Sequence, residues 1–341
     1  MLNERKRRIL QAIINDYIST AEPIGSRTIA RKYDLGVSPA TIRNEMADLE
    51  LLGYIEQLHT SSGRIPSSKG YRLYVDDLLL PEAMTQNEMA LIQNWYKAKV
   101  QRLDEVFQET AKIISRMTKN VSLVLAPQLS QASFRSLQFL PLDERRVIAV
   151  IMTDVGFIEN KVIVMPDGAC LDDFQRISRL INSCLAGKTI ESINTSLLRK
   201  IADEIKDDSL FEAAMAVIQN ALAEEKRARI YLGGTTQLLN QPEFKDVEKV
   251  KSILLMLEEE QLLCDILNAQ KGKGLTVTIG QENKYSGIQD CSIISATYHL
   301  DGELIGTIAV LGPTRMEYGR TMTLLEFMNQ NLVQILKQFH W

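Results

Sequence analysis

Three short helical patterns crowded into the first 55 residues, followed by a sudden change of period at Gly53, constrain this chain more than any other feature. Ile9, Leu10, Ile13, Ile14, Tyr17 and Ile18 recur at helical spacing. They form a stripe broad enough that the helix carrying it, starting near Asn3, must press it into a core. Ala21-Glu22-Pro23-Ile24-Gly25 breaks that helix, and Ser26 is placed to cap a second one that carries Ile29, Ala30 and Tyr33 inward. Asp34-Leu35-Gly36-Val37 reads as a turn. Ser38-Pro39 then joins a capping hydroxyl to a proline at the first helical position, opening a third helix that runs to about Leu52 and stops at Gly53. Beyond it residues 54–58 alternate as a strand, His59-Thr60-Ser61-Ser62-Gly63 turns, and Arg64-Ile65-Pro66 returns. Helices joined by a tight turn and closed by a hairpin make the winged helix-turn-helix order. Ser67 opens a further helix through Tyr71, Tyr74, Val75 and Leu78.

The third helix carries the chemistry. At about 100° per residue, Ile42, Met46, Leu49 and Leu52 share one half of the wheel, while Ala40 and Asn44 point away and Thr41 and Arg43 flank them. A helix entering a major groove needs such a small or polar outward surface. Asn pairs bidentately with adenine, Arg with guanine, and the Thr methyl meets a thymine methyl. Ser38, Ala40, Thr41, Arg43 and Asn44 are therefore the base-reading candidates, with Leu51 also outward and without a role in reading DNA. Ser26, Arg27, His59, Arg64, Lys69 and Arg72 surround them as candidates for phosphate and wing contacts, and Arg5, Lys6, Arg7 and Arg8 add to the same field. A plain protein-interaction module with a solvated basic face is the alternative for this head.

Charge is divided to match. Residues 1–75 hold 11 Lys and Arg against 8 Asp and Glu, a net +3, whereas the remainder carries −7. A weakly basic head on an acidic body suits a reader of polyanions. At 341 residues the chain exceeds one ordinary core. Its longest apolar runs, 147–152 and 213–218, are six residues each, against the roughly 20 that a membrane helix needs. The N-terminus does not fit a signal peptide, which points to the cytoplasm. After residue 80 the pattern predicts a helix over 87–119, strands at 121–126, 134–140, 146–153 and 157–165, and helical spacing over 172–226 and 246–268. Strands follow at 275–280, 291–298 and 304–311, with a terminal helix over 321–339. Strands interrupted by a helical block and then completed suggest one α+β domain carrying an insertion.

Catalytic readings find little support. Ala186-Gly187-Lys188-Thr189 resembles the end of a phosphate loop, but Asn182 stands where the pattern needs glycine, and the segment before it is helical. Gly233-Gly234-Thr235-Thr236 and Gly272-Lys273-Gly274 are short glycine turns. Four cysteines separated by 14, 80 and 27 residues form no metal or redox pair, and His59, His299 and His340 are scattered. No catalytic residue, cofactor or metal is expected.

Ser38-Pro39-Ala40-Thr41-Ile42-Arg43-Asn44-Glu45-Met46-Ala47-Asp48-Leu49-Glu50, then Gly53-Tyr54, His59-Thr60-Ser61-Ser62-Gly63-Arg64-Ile65-Pro66 and Lys69-Gly70-Tyr71-Arg72, strongly resemble the HrcA family of bacterial heat-inducible transcription repressors. Tyr231-Leu232-Gly233-Gly234, Asn240-Gln241-Pro242-Glu243-Phe244 and Gly312-Pro313-Thr314-Arg315-Met316-Glu317-Tyr318 extend the likeness through the body. The resemblance implies an α+β multidomain chain: a winged helix-turn-helix over 1–80, a GAF-like domain in two parts over 87–166 and 230–341, and an inserted helical dimerisation segment over 167–229. It further implies a homodimer that represses heat-shock chaperone operons by binding double-stranded DNA at the CIRCE inverted repeat. The GroE chaperonin would sustain activity, and heat stress would relieve it. A GAF-like domain that receives a small molecule, or a catalytic body, are the competing readings.

Overall fold

The computed structural model describes residues 2–57, 63–79, 82–99, 103–127, 133–154, 158–166, 168–193, 197, 201, 215, 229–269, 274–300 and 302–338. The chain divides into two compact units, one of Met1–Lys97, Gln108–Val124 and Ile230–Gln330, the other of Ala98–Phe107, Leu125–Arg229 and Asn331–Trp341.

The first unit opens with the head. Helix α1 (Glu4–Thr20) is capped by the Asn3 side chain and ends at Ala21, which takes a left-handed conformation. It buries Ile9, Leu10, Ile13 and Ile14 completely, as the apolar stripe requires. Helix α2 (Ser26–Lys32) has Gly25, not Ser26, at its N-cap, and no side chain caps it, so the capping role expected of Ser26 is corrected. Gly36, at φ +66°, carries the turn into α3 (Pro39–Leu51). Strands β1 (Ile55–Glu56) and β2 (Ile65–Pro66) pair antiparallel, and an isolated bridge between Ile24 and Arg64 adds a third strand position. Ser67 caps α4 (Ser68–Leu73) and also donates to the Gly53 carbonyl at 2.6 Å, which pins the hairpin to the end of α3. A π-helical turn over Tyr74–Leu78 continues it.

Helices α5 (Gln86–Lys99) and α6 (Leu103–Thr118) occupy the span read as one helix, with 100–102 outside the described residues. Strands β3 (Val121–Leu125), β7 (Ile230–Gly233), β8 (Leu275–Ile279), β9 (Cys291–Leu300) and β10 (Glu303–Pro313) form a sheet in the order β7-β3-β10-β9-β8. Apart from His299, every residue of β9 is buried, as in a strand covered on both faces. The span 246–268 divides at Glu259 into α8 (Val247–Glu258) and α9 (Glu260–Asn268), and α10 (Tyr318–Gln338) ends the described chain.

The second unit holds β4 (Phe134–Pro141), β5 (Arg146–Thr153) and β6 (Ile158–Val164), an antiparallel meander that forms a sheet of its own. Helix α7 (Leu171–Leu185) covers one face of it, burying Phe174, Ile177 and Ile181 against Leu137, Phe139, Ala149 and Ile151. Asn182 both donates to and accepts from the backbone of Leu137, so the residue that breaks the phosphate-loop pattern is a structural pin. Alternation identifies strands but not their partners: among the described residues β3 joins the five-stranded sheet, whereas β4–β6 form a separate three-stranded one. Most of the helical span 194–228 lies outside the described residues. No helix among the described residues is long and apolar enough to cross a membrane.

Candidate nucleic-acid interface

Helix α3 is built to show one face. The Ser38 hydroxyl accepts the Thr41 N–H at 3.2 Å and lies 3.0 Å from the Thr41 hydroxyl, which fixes the first turn. Ile42, Met46 and Leu49 are buried beneath it, while Ala40, Arg43, Asn44 and Ala47 are exposed. The outward groups are those the wheel gives, with two amendments. The Ser38 hydroxyl is committed to capping, and Leu52 is 47% exposed rather than inward. Leu51 is 87% exposed, and nothing in the structure explains it.

The cations of the head fall into two sets. Arg5 lies 3.4 Å from Glu45, Lys6 pairs with Glu45 at 2.8 Å and with Asp48 at 2.9 Å, and Arg7 pairs with Asp77 at 2.9 Å. Hydrogen bonds to the Glu45 and Asp48 carboxylates hold the Lys6 ammonium above the ordinary lysine range. Lys32 pairs with the buried Asp16 and is raised in the same way. By contrast, Arg27 and Arg31, one turn apart on α2, and Arg43 and Asn44 on α3 are exposed and have neither an ion pair nor a side-chain hydrogen bond among the described residues. Most of the basic run at 5–8 is thus neutralised where it sits, as is Lys32, while Arg27, Arg31 and Arg43 of the helix-turn-helix pair with no carboxylate among the described residues. Arg8 donates to the Asp34 carbonyl at 3.4 Å and meets no carboxylate among the described residues.

Several expected contacts change role. Arg64 places both Nε and Nη2 at 2.8 Å from Glu50 Oε2, so a carboxylate at the end of α3 shares its charge and ties down the wing. Arg72 is likewise engaged within the protein, its guanidinium nitrogens donating to Glu282, Asp76 and the Val277 carbonyl. Lys69 stays exposed, donating to the Leu52 carbonyl at 2.9 Å with its ammonium 4.6 Å above the Tyr54 ring. Ser26 begins α2 without capping it. His59 lies outside the described residues. Sequence reasoning missed Arg31, although its i+4 spacing from Arg27 on a helix was there to find.

An outward polar helix face, a cluster of unpaired arginines and a hairpin packed beside them define a winged helix-turn-helix DNA-binding protein. Residues 1–76 match the family model for the winged helix-turn-helix transcription repressor HrcA DNA-binding domain, and residues 104–322 match the model for the HrcA protein C-terminal domain. The heat-inducible transcription repressor HrcA of Pelotomaculum thermopropionicum is 45% identical over 99% of this chain and 97% of its own length. That of Desulforudis audaxviator is 42% identical over 99% of both. A crystal structure of a hypothetical protein shares the fold, with a TM-score of 0.73 and 24% identity over 99% of this chain and 100% of that one. The chain belongs to the HrcA family of heat-inducible transcription repressors.

Proposed function

We propose that this protein represses heat-shock chaperone operons by binding the CIRCE inverted repeat as a homodimer in the cytoplasm. The observation that carries this reading is the exposed Arg43–Asn44 pair, without a side-chain partner among the described residues, on a helix whose other side is fixed by buried Ile42, Met46 and Leu49. Asn44, Arg43, Thr41 and Ala40 read base edges, Ser38 presets the start of the helix, and Arg27, Arg31 and Lys69 hold phosphates. Arg64 acts through the wing it positions.

An inverted repeat calls for a two-fold protein, because each half-site meets an identical head. The second unit supplies a surface suited to self-association. Leu140, Ile148 and Val162 lie in register across the meander on the face away from α7, and Leu140, Val162 and Val164 are exposed. The five-stranded sheet with its helices is the GAF-like domain of this reading, and its inserted dimerisation segment takes in β4, β5 and β6, from residue 134, ahead of the helical part that starts at 167. Dimerisation couples operator occupancy to the amount of folded protein. Chaperonin assistance therefore raises repression, and its diversion by heat-unfolded proteins lowers it.

The test is a footprint on chaperone promoters with and without GroE chaperonin. Protection of both arms of the inverted repeat, enhanced by chaperonin, is the expected result. Protein that stays monomeric and protects no arm preferentially overturns the reading.

A further inference from the structure

Two of the body segments that carry the family resemblance, 240–244 and 312–318, meet at one junction, where the head contacts the rest of the first unit. Arg315, in the loop after β10, donates from Nη1 to the Ile18 carbonyl near the end of α1 at 2.6 Å, and its Nε lies 2.5 Å from Glu243. Gln241 accepts from the same guanidinium at 3.4 Å. At the other end Arg72, on α4, donates to Glu282 and to the Val277 carbonyl of β8 at 2.6 Å. The Ile279 N–H donates to Glu282 at 2.8 Å and so presets that carboxylate.

Between the two arginines the Tyr71 and Tyr318 rings meet with centroids 5.7 Å apart, both residues buried. The Tyr318 hydroxyl bonds the Thr314 carbonyl at 2.6 Å and Ser292 at 2.8 Å. Gly280, at φ +54°, lets the chain pass so close to Ser68 that a Cβ there would collide with its hydroxyl. A head tethered only by a linker needs none of this. Charged pairs at two ends with a packed aromatic contact between them resist rotation about every axis.

We propose that the Arg315–Glu243 and Arg72–Glu282 clamps are positioning devices that set half-site spacing, by holding each head at a fixed angle to its sheet. This rests on the two-headed reading above. Two half-sites are engaged at once only where the heads already match their separation along the helix, a multiple of about 34 Å. A rigid junction keeps the effective concentration for the second half-site high at one spacing and low at others, whereas a loose one flattens that dependence.

The test uses the full-length protein, its Arg315→Ala and Glu282→Gln variants, and Arg315→Lys as the conservative control. Affinities are measured for the inverted repeat, for the same repeat with one or two base pairs added to or removed from its spacer, and for a lone half-site. The variants are expected to lose on the order of tenfold on the intact repeat. Their binding to a lone half-site should be unchanged, their preference among spacers largely lost, and Arg315→Lys should recover part of it. Variants that keep the wild-type spacer profile overturn the proposal, as does equal loss on the lone half-site, which would mean damage to the head itself. Wild-type protein that shows no spacer preference defeats the two-headed reading and this proposal together, and is distinguished by appearing without any mutation.

Discussion

The N-terminal half of α1 and the α2–α3 pair carry four basic residues each, yet the structure treats most of them oppositely. On α1, Arg5, Lys6 and Arg7 each meet a carboxylate, from Glu45, Asp48 or Asp77. On α2 and α3, Arg27, Arg31 and Arg43 meet none among the described residues. A positive charge in the sequence is therefore not yet a charge offered to DNA. Glu45 shows why: it is buried on the inner side of α3, and a carboxylate taken out of water requires cations, which α1 supplies. Those residues hold the head together, and Arg27, Arg31 and Arg43 keep a charge that no carboxylate among the described residues takes up.

The strongest challenge to this division is Asn44→Ala. If the exposed face of α3 reads bases, the substitution weakens the specific operator by about 1–3 kcal/mol and leaves binding to random DNA nearly intact. Gel-shift titrations on the two DNAs make the comparison. Equal loss on both removes Asn44 from base reading and makes α3 no different from α1.

A smaller effect sharpens the contrast between the two sets of arginines. Arg27→Ala should weaken all sequences alike and lower the slope of log affinity against log salt by about one, because one phosphate contact releases about one counterion. Arg7→Ala should leave that slope where it is, since Asp77 already neutralises the guanidinium. Were Arg7→Ala to flatten the slope as much as Arg27→Ala, the ion pairs of α1 would have to open on DNA.

Local chemistry was legible in the sequence; pairings between distant residues were not. Ser38-Pro39 announced the start of α3, Asn3 that of α1, and the apolar stripe of α1 named its buried face, because caps and periodicity depend on residues a turn apart. The strand over Arg146–Thr153 has the bounds that its alternation indicates. Arg64 and Arg72 could not be told from phosphate ligands, since Glu50 is 14 residues from the first and Glu282 is 210 from the second. Sheet membership is hidden for the same reason: β3 and β4 look alike as strings, and their distant partners separate them. Of the candidate site, the α3 face was readable because it is a property of one helix. The clamps were not, because each is assembled from remote segments.

The smallest expected effect concerns Lys6 and separates holding from reading. Its pKa is raised above the ordinary 10.5 by the Glu45 and Asp48 carboxylates. The stability it contributes is therefore fully present below the unfolded-state value and disappears as pH climbs through the higher folded-state value. Lys6→Met should lower the denaturation midpoint at pH 8, and the gap from wild type should close as pH climbs through the raised folded-state value, where the wild-type amine also loses its proton and Glu45 is left with a neutral neighbour in both proteins. Operator affinity of the folded variant at neutral pH should match wild type. A gap that persists unchanged through the alkaline range would mean that Lys6 stabilises the head by packing its stem rather than by pairing. A fall in affinity without a fall in midpoint would place it among the DNA-facing cations and erase the line drawn between α1 and the helix-turn-helix.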